Sequence, residues 1–292
     1  MLDALLAATP PTVPTVRAWF EATAAARVGS TIDRALLGGA HADRLGFAFA
    51  AGYSEALRRL VPNLDGITAL CATEADGNQP GAIKTRLTPS ANGFTVTGSK
   101  KWATVAGEAS SLLVVASIGE EAGRNRLKVV RVPASAPNLR IRSSAAPFVP
   151  EIEHAEIDLD GVEVPADAVL PGDGYDDYLK PFRTVEDLHV HAALVGYLTT
   201  VSRRIAPTLI EPLLALASST RALADADVKS ASTHLALAGL IELATRVVAD
   251  VEHAWSAQPD DEWRRWLRDR ALLQVATKAR LARREKARAT IR

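Results

Sequence analysis

Three stretches of this sequence carry side chains of the types that chemistry uses. CATEADGN, residues 71–78, holds Thr73 and Glu74, and GSKKWATVAG, residues 98–107, holds Lys100, Trp102 and Thr104. TVEDLHVHAALVG, residues 184–196, holds Glu186, Asp187, His189 and His191. A tryptophan supplies a large flat apolar surface with one polar handle, so Trp102 reads either as a core residue or as a surface for packing a ring. A carboxylate buried beside an apolar ligand rises toward the working range of a base. Glu186 is open to that role, but Thr184 followed by Glu186 and Asp187 also reads as an N-cap with first-turn acids. His189 and His191 are two apart on a helix and do not share a face, so no metal site is expected. Asp187 and His191, one turn apart, read as a surface pair. The single cysteine, Cys71, sits in an apolar run between Leu70 and Ala72, the setting of a packing thiol rather than a nucleophile.

The elements that must position these groups change character along the chain. Residues 15–60 are Ala/Leu-rich runs broken by Gly38-Gly39 and closed by Pro62, and predict two or three helices. From Ile67 to Leu170 the runs TALCAT, AIKTRL, FTVTGS, SLLVVASI, LKVVRV, LRIRS and HAEIDLDGVEVP predict short strands. Asn92-Gly93 marks a hairpin turn. Beyond Pro171-Gly172-Asp173-Gly174 the pattern predicts helices near 183–204, 208–223, 230–257 and 261–290, with breaks at Pro207 and Pro259. The expected class is α+β: a short N-terminal helical region (1–65), a central antiparallel β-barrel or sandwich (66–172) and a C-terminal helix bundle (173–292).

Composition narrows the partners. The chain has 292 residues, is 48% hydrophobic, and balances 34 Lys and Arg against 34 Asp and Glu. Zero net charge gives no overall field to recruit nucleic acid or an anionic membrane. The basic run KARLARREKARATIR has no interleaved aromatics and reads as a solvated last helix. MLDALLAATPPTVPTV has an acidic Asp3 and prolines where an apolar signal core would run, so a cytoplasmic protein is expected. One cysteine excludes an intramolecular disulfide and fits a reducing compartment.

The two short motifs, Thr73-Glu74 and the run G-x-K-x-W-x-T at Gly98, Lys100, Trp102 and Thr104, together resemble the flavin-facing edge of the acyl-CoA dehydrogenase family. Ile83, Lys84 and Thr85 between them, the exit segment DGVEVPADAVLPGDG (160–174) and the order of helices, β-domain and bundle agree with it. The resemblance covers about Ile67 to Arg204. It implies FAD as cofactor, with backbone around Ala72 and Thr73 at the pyrimidine edge, Trp102 on the isoalloxazine and the Thr104 hydroxyl near N5. It implies oxidation of an acyl-CoA or related thioester at Cα–Cβ, an electron-transfer flavoprotein as acceptor, and a homo-oligomer, dimer or tetramer. A branch resembling isovaleryl-CoA dehydrogenase carries its base ten residues before a glycine, where this chain has Glu186 and Gly196.

Departures from the family pattern are as specific. The usual G-S-D loop is replaced by Asn78-Gln79-Pro80, and proline removes an N–H from a phosphate cradle. The R-x-x-F-G element has no counterpart in PTLIEPLLALASSTRALADAD, and the carboxy-terminal glutamate beyond a Gly-Gly segment is absent. Asp187 stands where the family has an arginine. The expectation is therefore a divergent, truncated member. The alternatives are a catalytically degenerate partner or structural subunit and a flavin-dependent oxygenase or oxidase on the same fold.

Overall fold

The computed structural model describes residues 1–144 and 148–291. It divides into a helical unit, residues 1–59, 148–151 and 184–291, and a β unit, residues 60–144 and 152–183. The class is α+β, as expected.

The helical unit opens with α1 (Leu2–Ala7), α2 (Val16–Ala22), α3 (Thr31–Ala40) and α4 (Leu45–Leu60). It continues with α5 (Lys180–Ile205), α6 (Ile210–Leu223), α7 (Ala231–Ser256), α8 (Asp261–Asp269) and α9 (Thr277–Thr290). Thr15, Ser30, Ser230 and Asp260 cap four of these helices by accepting a backbone N–H. The breaks fall at Pro207 and just after Pro259, as the sequence predicts. The expected single helix over 261–290 is instead two, separated by a tight turn at Arg270–Gln274. At that break the buried Asp269 carboxylate accepts the guanidinium of its neighbour Arg268 and the Val149 N–H (2.8 Å), the latter a long-range bond that local pattern does not announce.

Gly38-Gly39 does not break a helix, contrary to expectation. Both residues lie inside α3 because two helices must approach closely there. A Cβ on Gly39 would stand 1.8 Å from the Ala193 carbonyl oxygen on α5, and one on Gly196 would stand 2.0 Å from the Leu36 carbonyl on α3. The missing side chains let α3 and α5 pack backbone against backbone, and that contact outweighs glycine's poor helix propensity. Around it Trp19, Leu36, Phe47, Leu57 and Tyr197 are fully or almost fully buried.

The β unit is one seven-stranded sheet, and each predicted run supplies a strand. These are β1 (Thr68–Cys71), β2 (Arg86–Ser90), β3 (Gly93–Thr104), β4 (Ser111–Glu121), β5 (Arg124–Pro133), β6 (Leu139–Ser144) and β7 (His154–Val164). The order is β1-β4-β2-β3-β7-β6, with β5 also on β4. The predicted hairpin joins β2 to β3, Ser90 opposite Gly93 across Ala91-Asn92. Most pairs are antiparallel, but β1 and β2 run parallel to β4. β4 is buried on both faces from Leu112 to Ser117, which explains its unbroken apolar run rather than an alternating one.

The close approach at Gly39 is testable. Gly39→Ala forces the α3 and α5 backbones apart and is expected to lower unfolding free energy by about 1–3 kcal/mol or more in urea titration. Gly239→Ala, on the exposed side of α7 where a Cβ meets nothing, is expected to raise it by about 0.5–1 kcal/mol.

Candidate functional site

The first two motifs meet at a buried ion pair. Lys100, on β3, has no exposed surface, and its Nζ donates to Glu74 Oε1 at 2.6 Å and to the Ala72 carbonyl at 3.4 Å. Glu74 also accepts the Thr85 N–H (3.0 Å), the Thr85 hydroxyl (2.8 Å) and the Lys84 N–H (2.8 Å). Lys101 N–H donates to the Thr73 carbonyl at 2.8 Å. Burial raises the cost of the Glu74 charge, but the Lys100 ammonium and the two backbone N–H groups outweigh it and hold the carboxyl below its ordinary range. Burial also depresses the Lys100 ammonium, and the Glu74 contact opposes that fall. Gly98 belongs to the same knot: its backbone has φ +149°, and a Cβ there would lie 2.6 Å from Thr85 Oγ1.

Just beyond Lys100 the strand changes phase. In a regular strand Lys100, Trp102 and Thr104 would share one face. Lys100 pairs with Ile157 and Ala103 with Ala155, so β3 spends three residues where β7 spends two, and a bulge lies between them. Trp102 sits in that bulge with φ +58°. Val96 and Lys100 face inward before it and Ala103 faces inward after it, so Trp102 and Thr104 emerge together on the outward side. Bulges of this kind re-aim side chains. Trp102 is 68% exposed, which overturns its reading as a core tryptophan. Thr104 is half-buried, and its hydroxyl makes no hydrogen bond among the described residues.

Sheet register adds neighbours that the sequence did not reveal. Trp102 borders a depression of about 230 Å³ shared with Arg142, Ser143, His154 and Glu156. His154 stands opposite Thr104, and Arg142 opposite Glu156. Burial pushes the His154 imidazole below its usual value, and its Nδ1 donates to the Ile152 carbonyl at 3.2 Å. Only the pairing of β3, β7 and β6 brings these residues to Trp102, and no motif marks them. Cys71 is buried and its thiol is pushed up to about 12 by burial, which fits a packing role.

The third stretch lies on α5. This helix runs unbroken from Lys180, following a π-helical turn at Gly174–Leu179 that is capped by Asp173. Thr184 is therefore inside the helix, with its hydroxyl 3.4 Å from His234 Nε2, and the N-cap reading of Thr184, Glu186 and Asp187 is corrected. Glu186 is half-buried. Asp187 is buried rather than part of a surface pair: Arg280 Nε donates to it at 2.8 Å, and Arg283 pairs with its other oxygen. His191 Nδ1 donates to the Asp187 carbonyl at 2.6 Å, and His189 bridges the Val185 carbonyl and the Thr31 hydroxyl. Burial lowers both imidazoles to about 4, so both stay neutral at ordinary pH. Among the described residues no group of three or more His, Cys, Asp or Glu has the geometry to hold a metal ion, and no helix is long and apolar enough to cross a membrane.

Residues 69–162 match the sequence profile of the family described as "Acyl-CoA dehydrogenase, middle domain", a span that contains Ala72, Thr73, Trp102 and Thr104. No curated protein matches the chain by sequence. Among solved structures the chain is similar to FkbI, for biosynthesis of the methoxymalonyl extender unit of the Fk520 polyketide immunosuppressant. That match has 21% identity, covers 99% of this chain and 96% of that one, and has a TM-score of 0.71. It is also similar to butyryl-CoA dehydrogenase from Megasphaera elsdenii (15%; 95% and 87%; 0.70) and to PigA with FAD and proline (14%; 90% and 82%; 0.66). At these identities the structural likeness is one of fold. Residues 69–162 thus resemble an acyl-CoA dehydrogenase middle domain, and the chain as a whole shares the fold of these structures.

The residues present fit the ring of a flavin better than its phosphates. An outward-turned indole beside a hydroxyl with no protein partner is a donor set for a flat, polar-edged ring. In the loop that follows Glu74, Pro80 offers no N–H, its carbonyl and that of Ile83 are both held by Asn125 Nδ2 at 2.9 Å, and Asn78 accepts from Arg183 at 3.1 Å.

Two measurements test this geometry. Removing the cation in Lys100→Met leaves Glu74 buried and unpaired, and is expected to cost about 3–5 kcal/mol in urea unfolding at neutral pH. Glu74→Gln on that background is expected to recover part of the loss. The second is stability against pH. The unfolded chain protonates His189 and His191 near 6.5 and the folded chain only near 4, so stability is fully present above 6.5 and falls as pH drops toward about 4. The loss is of order 3 kcal/mol for each histidine, and the double variant His189→Gln/His191→Gln is expected to flatten that slope.

Proposed function

We propose that this chain is an acyl-CoA dehydrogenase-type flavoprotein that binds FAD and oxidises an acyl-CoA or related thioester at Cα–Cβ. The observation that carries the reading is Trp102: a large aromatic, 68% exposed, turned outward by a bulge inside the middle-domain motif. Among the solved relatives, one PigA structure is described with FAD and proline, and another relative is named a butyryl-CoA dehydrogenase.

In this reading Trp102 packs on the isoalloxazine ring, the Thr104 hydroxyl hydrogen-bonds near N5, and the backbone around Ala72 and Thr73 meets the pyrimidine edge. The Ala72 and Thr73 carbonyls already accept from Lys100 and Lys101, which holds that segment rigid for a ligand. Bound FAD supplies the two-electron acceptor for the β-hydride. Glu186 takes the α-proton as general base. The Asp187 charge beside it does not oppose a developing anion, because Arg280 and Arg283 neutralise it. An electron-transfer flavoprotein reoxidises the enzyme, which works in the cytoplasm as a homo-oligomer.

The absent cradle at Asn78-Gln79-Pro80 favours a second reading, a catalytically degenerate subunit that keeps the fold for a partner. Adding FAD, removing the unbound fraction and titrating anaerobically with acyl-CoAs of graded chain length separates the two. Retained flavin that is bleached by a thioester is expected, with bleaching abolished but flavin retained in Glu186→Gln. Retained flavin that no acyl-CoA bleaches, but that reacts rapidly with oxygen once reduced, would move the assignment to an oxidase or oxygenase. A colourless protein would leave the partner reading.

A further inference from the structure

The helical unit carries an open cleft that none of the motifs accounts for. It lies among α5, α7, α8 and α9 and has a volume of about 660 Å³, inside the ~300–1,000 Å³ range of small-molecule sites. Its walls are largely aliphatic, with Leu194, Ile241, Val248 and Leu273 among them. Two of its three arginines are committed elsewhere: Arg270 to Glu252 at 3.2 Å and Arg280 to Asp187 at 2.8 Å. Arg284 is not. Its Nε is buried and has no hydrogen-bond partner among the described residues, and Glu285 lies 3.9 Å from it, beyond hydrogen-bond reach.

A guanidinium N–H removed from water without an acceptor is costly, and a guanidinium has no way to shed its proton. The remaining charges on the wall set the kind of acceptor. Glu252 is balanced by Arg270, and Glu242 is paired with Arg246 at 3.0 Å. His191, on the same wall, is held neutral by burial. Among the described residues the Arg284 Nε–H is the donor left without an acceptor on this wall, which suits a carboxylate oxygen. The aliphatic walls call for an equally apolar body.

We propose that this cleft binds a single-chain aliphatic carboxylate, with the carboxylate on Arg284 and the chain along Leu194, Ile241, Val248 and Leu273. The site is built entirely from helical-unit residues and does not depend on the flavin reading.

Titration calorimetry on the full chain, below micelle-forming concentrations, tests it with dodecanoate, dodecanol, dodecyltrimethylammonium and acetate as probes. The expected result is saturable binding of one dodecanoate per chain, at least tenfold tighter than dodecanol, with no binding of the ammonium or of acetate. Arg284→Leu is expected to weaken dodecanoate at least tenfold while leaving dodecanol unchanged, and Ile241→Trp to abolish both by filling the cleft. Circular dichroism checks that each variant folds, with Arg284→Gln and Ile241→Phe as substitutes for any that does not. The proposal is overturned if folded wild-type protein shows no saturable dodecanoate binding, if dodecanol binds equally well, or if Arg284→Leu leaves the affinity unchanged.

Discussion

Lys100 is fully buried on β3, and its ammonium is tied to Glu74 at the end of the first motif. An unpaired ammonium in that position would cost several kcal/mol, so the pair must form whenever the sheet does. Its formation fixes several things at once. It brings the chain after β1 against β3, engages Thr85 as a second partner of Glu74, and requires a residue without a side chain at Gly98. It also fixes the last inward-facing residue before the bulge, which decides that Trp102 and Thr104 point outward. The residues that would meet a cofactor are thus presented by a group that would not touch it.

In the helical unit, close backbone packing does a similar job. Gly39 and Gly196 allow α3 and α5 to meet, and α5 carries Glu186 at one end of that contact and the buried Asp187, His189 and His191 beside it. Polar groups at this depth are tolerated because each has a partner. Asp187 faces two arginines from α9, and each histidine donates to a carbonyl one turn back on α5. The basic character of the last helix, which reads as simple solvation in the sequence, supplies the two cations that make Asp187 possible.

The strands are legible because β-branched and alternating runs are set apart by turn residues, and Asn92-Gly93 places the β2–β3 hairpin within one residue of its turn at Ala91-Asn92. The bulge after Lys100 was not legible. Alternation alone would have put Trp102 on the same face as Lys100, and only the extra residue against β7 reverses it. Arg142, His154 and Glu156 stayed hidden for a related reason, since strand register decides their proximity to Trp102. Gly38-Gly39 reads as a helix break because propensity is local, whereas the need for Gly39 lies more than 150 residues away at Ala193. Thr184 looked like a cap because the irregular π-helical turn that starts the helix earlier leaves no sequence mark of its own.

The Lys100–Glu74 ion pair and the bulge turn the Trp102 indole outward, where we propose that it meets a flavin ring. Fluorine NMR of protein labelled with 5-fluorotryptophan, with one signal assigned through Trp102→Phe, tests it most directly. The Trp102 resonance is expected to respond to solvent exchange from H₂O to D₂O in the free protein and to shift on addition of FAD. A Trp102 resonance that is insensitive to solvent, or that stays in place at saturating FAD, would contradict it.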